Sequence, residues 1–587
     1  MSGRSFGPRL TANGVEFRLW APNAKRVDIL LDRAHPMQRE NDGWFKADID
    51  GARAGARYRF RIDGAADVPD PASAFQPEDI AGPSEVIDHA AYPWLAADWR
   101  GRPWHETVLL EAHVGSFTPQ GTFRAMIDRL DHLVETGITA LELMPLADFP
   151  GQRNWGYDGV LWYAPDSAYG RPEDLKALID AAHQRGLMMF LDVVYNHFGP
   201  EGNFIGQYAP PFFSESQTPW GNAINYRVDQ VRAFAIENAL YWLREYHFDG
   251  LRLDAVHAIP DQGEIPMLYE LSRQAGKLAE ETGRHIHLVL ENDDNIAAVL
   301  DPLIHPPRGQ YRAQWNDDYH HAWHVALTGE RQGYYSDYAD APLKHIARAL
   351  GSGFVYQGEP SEHRGGQPRG EPSGELPPLA FVNFLQNHDQ IGNRALGDRL
   401  ESLVSPQAIE AALAITLLTP TVPMLFMGEE WGSQAPFPFF CDFHGELADA
   451  VRQGRRKEFA GAYEKFGDEV PDPLSEATFK SATLDWSERD GGPGAKRLAL
   501  VKRLLEIRRN AIVPRLSGAR FGNADVADDG LLRARWRLSE GATLELVANL
   551  SDRGLASKGP PQGTNLWGDD WDGIMPPWAV TWRLEES

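Results

Sequence analysis

Cysteine is almost absent from this chain of 587 residues: Cys441 stands alone, which excludes an internal disulfide and fits a reducing compartment. Basic charge is short as well, with 57 Lys and Arg against 83 Asp and Glu and a formal net charge of −26. Such a surface argues against nucleic-acid or anionic-membrane binding and suits a soluble protein with a neutral or cationic partner. Long apolar runs are missing too. The opening "MSGRSFGPRLTANGVEFRLW" has no signal-peptide core, and no later segment approaches membrane-spanning length. A cytoplasmic enzyme or binding protein is the expectation. Aromatic residues are plentiful at 11 %, with 18 Trp, enough for sugar stacking as well as ordinary cores.

The length exceeds what one hydrophobic core supports, so two or three domains are expected. In "GVEFRLW" Val15, Phe17 and Leu19 alternate with polar residues, as do Tyr58, Phe60 and Ile62 in "YRFRID". Period-two patterns between Gly and Asn turns predict an N-terminal β-sandwich over residues 1–90. From about residue 106 short apolar runs alternate with helical patterns: "TVLLEAHV", "TALELMPL", "LMMFLDVVYNH", "DGLRLDAV", "IHLVLEND", "PPLAFVNFLQNHD" and "TVPMLFMGEE". Such runs are strands buried on both faces, and seven or eight of them predict a closed (β/α)8 TIM barrel within residues 91–515. Alternation returns after "RLALVKRLLEIRRNA", where Ala534, Trp536 and Leu538 match Leu544, Leu546 and Ala548, so a small C-terminal β-domain is expected over 516–587. The insertion "GEPSEHRGGQPRGEPSGELPP" reads as a mobile loop.

The polar residues cluster at the C-terminal ends of the apolar runs, where barrel enzymes assemble their sites: Asn196 and His197, Asp254, Glu291, His388 and Asp389, and Glu429 and Glu430. In "FDGLRLDAVH" Arg252 and Asp254 share one face of a strand whose other face carries Leu251 and Leu253. Asp254, Glu291 and Asp389 are the set a retaining glycosidase needs: a nucleophile and an acid/base about 5 Å apart, plus a group for sugar hydroxyls. Arg252 would keep Asp254 ionised for attack, while Glu291, preceded by apolar "HLVL", would stay protonated to donate to the leaving oxygen. The competing reading makes each acid a solvated strand end or half of an ion pair.

"DVVYNH", "GLRLDAVH", "LEND" and "FLQNHD" resemble, in order and spacing, the four sequence regions of the α-amylase family of glycoside hydrolases. The resemblance implies that Asp254 is the nucleophile, Glu291 the general acid/base and Asp389 the transition-state stabiliser. It also implies that His197, Arg252 and His388 contact the sugar at the cleaved bond and that Asp192 and Asn196 support them. Tyr157 in "NWGYDGV" matches the tyrosine that stacks under that sugar; pattern alone reads it equally well as a core residue. His257, Gln390 and Asn393 complete the expected sugar contacts. "FRLWAPNAKRVDILL" is similar to the N-terminal, carbohydrate-binding-module-like sandwich of branching, debranching and trehalose-releasing members. "ALELMPLADFPGQRNWGYDGV" and "LEND" are similar to the trehalose-releasing branch, which cuts the α-1,4 bond next to a terminal trehalose. That resemblance implies maltooligosyltrehalose and related α-glucans as substrates, a synthase of that substrate as functional partner, and no cofactor.

Two clusters remain. "WNDDYHHAWH" spaces His320 and His324 four residues apart, with Asp317 and Asp318 nearby, a pattern that would suit a metal-dependent hydrolase. The glycosidase reading instead makes Asp317, Asp318, His320 and His321 ligands for hydroxyls on the leaving side, with a helix cap at Asp317 or Asp318 as the alternative. Glu429 and Glu430 receive at most a supporting role. The rival functions are a glucan branching transferase on the same scaffold and a catalytically silent glucan-binding protein.

Overall fold

The computed structural model describes residues 4–218, 221–259, 265–300 and 311–586. Eight parallel strands close into a barrel: β1 (Leu109–Ala112), β2 (Ala140–Leu143), β3 (Met188–Val193), β4 (Gly250–Leu253), β5 (His287–Leu290), β6 (Ala313–Trp315), β7 (Phe381–Asn383) and β8 (Val422–Phe426). The last pairs with the first, Leu109 against Met424, which closes the ring. These strands are buried on both faces, which is why they read as continuous apolar runs.

Alternation along each strand divides the side chains between two cores. Leu109, Ala140, Met188, Phe190, Val289, Ala313, Val382 and Met424 fill the barrel interior, whereas Leu110, Leu141, Met189, Leu191, Leu251 and Leu425 pack outward against the helices. The interior plug sets the height of the site. Two residues further along the inward-facing set come Glu111, Glu142, Asp192 and Arg252, so the apolar layer is roofed by charge. Gly250 is required where β4 enters this plug, because a Cβ there would lie 2.1 Å from the Phe190 ring.

At the N-terminal end, a sheet containing Gly14–Trp20 and Trp44–Asp50 faces one containing Val27–Leu30 and Arg57–Ile62. Val15, Phe17, Leu19, Tyr58, Phe60 and Ile62 are buried, and Phe17 meets Tyr58 between the sheets with ring centroids 4.8 Å apart. At the C-terminal end, five strands pair Ala534 with Leu546 and Trp536 with Leu544, while Ala548 lies opposite Leu532. Trp582 stacks on Trp536 and donates its Nε1–H to the Ala414 carbonyl at 3.0 Å, tying this sheet to the barrel helix Pro406–Leu418. Among the described residues no helix is long and apolar enough to cross a membrane.

The insertion expected to be a mobile loop is a hairpin, with Glu359–Ser361 paired to Gln367–Arg369. Its low-complexity composition hides its anchors. Ser361, Arg364 and Arg369 bind Asp337, Asp294 and Asp318 respectively, partners remote in sequence that no local pattern reveals.

Candidate active site

Arg252 organises the roof of the barrel. Its Nη1 donates to Asp192 Oδ2 at 2.7 Å and to Asp254 Oδ1 at 2.8 Å, its Nη2 lies 3.5 Å from Glu291 Oε2, and its guanidinium stacks over Trp315 at 4.1 Å. A buried cation in this position draws together three acidic side chains from the ends of β3, β4 and β5. Asp254 follows directly on β4, and its second oxygen accepts from Asn196 Nδ2 at 2.7 Å. The next residue, Ala255, adopts φ 40°, a left-handed conformation disfavoured for a residue with a Cβ. That turn aims its N–H at Glu291 Oε2, 2.5 Å away, and so fixes one carboxyl relative to the other.

Glu291 is held well above the usual carboxylate range. Burial is the main cause; Arg252 opposes it, and the charges of Asp254, Asp317 and Asp389 reinforce it. Asp317 is itself pushed up to about 7 by burial and by Asp293 and Asp389. A carboxyl with a raised pKa beside an ion-paired carboxylate is the division of labour an acid-assisted displacement uses. A general acid must be protonated to donate, so with Glu291 in that role activity should fall as pH rises through its raised pKa. Asp317→Asn removes a like charge and stabilises the Glu291 anion. The alkaline limb of the kcat/KM profile should therefore move to lower pH; a limb that stays or moves upward would disconnect the two groups.

Around these acids lie the expected sugar contacts. Tyr157 donates its hydroxyl to Asp192 Oδ2 at 2.6 Å and stacks on His388 with centroids 5.1 Å apart. It is half-buried and packs against the main core. His197 faces the Tyr157 carbonyl at 2.9 Å and the Asn196 side-chain oxygen. His388 donates its backbone N–H to Glu111 Oε2 at 2.9 Å and its Nδ1–H to Glu111 Oε1. Burial opposes a charge on that ring, but Glu111 outweighs it and the His388 pKa is raised.

Residues 91–210 match the family profile "Alpha amylase, catalytic domain", residues 5–77 match "Carbohydrate-binding module 48 (Isoamylase N-terminal domain)", and residues 519–582 match a domain of unknown function. The chain is 42 % identical over 520 residues to the malto-oligosyltrehalose trehalohydrolase of Deinococcus radiodurans, covering 88 % of this chain and 84 % of that protein. It is 40 % identical to the enzyme of the same name from Saccharolobus solfataricus, with 86 % and 87 % covered. The chain belongs to the malto-oligosyltrehalose trehalohydrolase family. A crystal structure of a candidate alpha amylase from Salmonella typhimurium superposes with a TM-score of 0.94 at 46 % identity, covering both chains completely. A branching enzyme from Mycolicibacterium paratuberculosis matches only 44 % of this chain, at 32 % identity.

Within this trehalohydrolase scaffold, the helix Asp317–Thr328 corrects several expectations of leaving-side contacts. Asp318 is fully buried, and its oxygens accept from Asn295, Tyr338 and the backbone of Val355 and Tyr356, while Arg369 lies 2.8 Å away. Its acceptor capacity is spent on holding the fold. His320 lies under the helix, its Nδ1–H donated to the Leu385 carbonyl at 2.6 Å and its Nε2 facing the Tyr335 hydroxyl at 3.1 Å. His324 binds Glu330 at 2.8 Å, so the two histidines spend these nitrogens on structure rather than on a shared ion. Among the described residues no group of three His, Cys, Asp or Glu side chains could hold a metal. The expected cap also differs: Asn316 is the N-cap, and Asp317 and Asp318 fall in the first turn.

Asp317, His321, Gln390 and Asn393 do line a cavity with Glu291 and Asp389. Gln390 donates to Asp317 at 3.2 Å and Asn393 to Asp389 at 2.9 Å. His257 is exposed and does not line this cavity; its Nδ1 accepts from the Asp293 N–H at 3.2 Å. Glu429 and Glu430 are buried away from these groups, one accepting from the Phe426 N–H and the other paired with His132. Sequence reasoning missed Glu111 and Trp315, which hold His388 and Arg252, and Asp293, Tyr334, Arg364 and Arg369, which line the same cavity. Glu111 was within reach, since it stands near the C-terminal end of "TVLLEAHV" as the other acids stand in their runs.

Proposed function

We propose that the chain is a retaining glycoside hydrolase that cuts the α-1,4 bond next to the terminal trehalose of maltooligosyltrehalose, releasing trehalose and a maltooligosaccharide. The observation that carries the mechanism is the one guanidinium shared by Asp254 and Glu291. It favours the close carboxylate pair, about 5 Å apart, of a retaining mechanism over the roughly 6.5–9.5 Å of an inverting one. Asp254 attacks the anomeric carbon as Glu291 protonates the departing trehalose oxygen. Glu291, now ionised, takes a proton from the water that frees the maltooligosaccharide from Asp254.

Asp389 and His388 bind hydroxyls of the ring as it flattens toward an oxocarbenium ion, and Tyr157 lies beneath it. Asp192, Asn196 and Glu111 hold Arg252, Asp254 and His388 in place. The substrate assignment rests on the family and its trehalose-releasing relatives. A synthase that builds the trehalosyl end is the functional partner this reading calls for, and the lone buried Cys441 suits a cytoplasmic setting.

Incubation with maltotriosyltrehalose followed by product chromatography tests the reading. Trehalose and maltotriose should appear in equal amounts. Branch points formed in amylose without trehalose release would instead identify a transferase, and binding without turnover a silent glucan-binding protein.

A further inference from the structure

The hairpin Glu359–Arg369 forms one wall of the cavity beside Glu291. That cavity contains Glu291 and Asp389 but neither Asp254 nor Arg252 nor Tyr157, so it opens on the side of the acid that protonates the departing group. Ser361, His363, Arg364 and Arg369 line it from the hairpin.

The wall is fastened to the segment that carries the acid. Arg364 donates to Asp294 Oδ1 at 2.7 Å and to the Asp293 carbonyl at 3.0 Å, and Arg369 donates to Asp293 Oδ1 at 2.9 Å. Asp293 lies two residues beyond Glu291, so acid and wall share one short piece of chain. The two anchors differ in strength. Arg369 and Asp318 are both almost fully buried, and separating them would strand two charges away from water. Arg364 is about a quarter exposed and its acidic partners about half, so its pairs are screened and contribute little to the fold. The base of the hairpin is therefore fixed and its tip can be altered.

We propose that this hairpin is a chain-length stop: it leaves room beyond Glu291 for a terminal disaccharide and bars a longer glucan from continuing, which confines cleavage to the chain end. The proposal rests on the hydrolase reading above. A glucan running through the leaving side would have to displace the tip, and Ser361 resists that as well by donating to Asp337 Oδ2 at 2.6 Å.

The test compares wild type with a variant in which Glu362–Gly366 is replaced by Asn-Gly, which keeps Ser361 and Arg369, and with His363→Ala/Arg364→Ala. Each is assayed on maltotriosyltrehalose and on amylose, with products sized by chromatography and folding checked by thermal melting. The ratio of kcat/KM on amylose to that on maltotriosyltrehalose should rise by about tenfold or more in the shortened variant, with internal cleavage products appearing. The double substitution should move the ratio the same way, and it decides the matter alone if the shortened chain does not fold. A folded variant whose ratio and product sizes match wild type overturns the stop. Absence of trehalose release by wild type would count against the hydrolase reading instead, while product sizes on amylose would still judge the hairpin.

Discussion

Asp254→Asn should lower kcat on maltotriosyltrehalose by about four orders of magnitude, or about 5 kcal/mol of barrier, while leaving a folded protein that still binds substrate. The amide cannot form the glycosyl ester, so the covalent route is closed. Binding should survive because the groups proposed to grip the sugar, Tyr157, His197 and His388, are held by Asp192, Asn196 and Glu111 rather than by Asp254 alone. Stability should fall modestly. Both Asp254 oxygens accept hydrogen bonds, one from Arg252 and one from Asn196, so an amide NH2 must face one of those donors. An unpaired donor at such a site costs about 1–3 kcal/mol, which a melting curve would register. A variant that keeps more than a tenth of wild-type kcat would remove Asp254 from the nucleophile's role.

The barrel was legible because its strands are buried on both faces and so appear as uninterrupted apolar runs. The acids were legible because they interrupt that pattern at the ends of those runs. Arg252 is the clearest case: a guanidinium inside "GLRL" has no apolar explanation, and its partners Asp192, Asp254 and Glu291 are themselves strand-end acids. Glu142 breaks its run in the same way, and burial together with Asp192 and Glu111 pushes its carboxyl well above the usual range. The leaving side was much less legible. Helical spacing placed Asp317, Asp318, His320 and His321 in one motif, but which of them face the cavity depends on what packs against the helix. Tyr335, Tyr338, Leu385 and Arg369 decide that from elsewhere in the chain. The hairpin was least legible, since its order comes from a hydrogen bond and ion pairs with residues 24 to 76 positions away and from no local periodicity.

Glu291→Gln should lower kcat/KM on maltotriosyltrehalose by about 10³-fold, within the range of roughly 10²–10⁴ that a positioned general acid contributes. The departing trehalose leaves through a sugar hydroxyl, a poor leaving group unless it is protonated as the bond breaks. An α-maltosyl fluoride does not need that proton, so attack by Asp254 on this substrate should be far less impaired. The second half-reaction would then limit turnover, because no base remains to activate water. Azide needs no base. Added azide should therefore restore turnover of the fluoride and yield the α-maltosyl azide, whose retained configuration requires two displacements through Asp254. The amide keeps an oxygen to accept the Ala255 N–H, so the turn after β4 stays in place and the loss can be attributed to proton transfer. Equal losses on both substrates without azide rescue would mean that Glu291 holds the site together rather than serving as its acid.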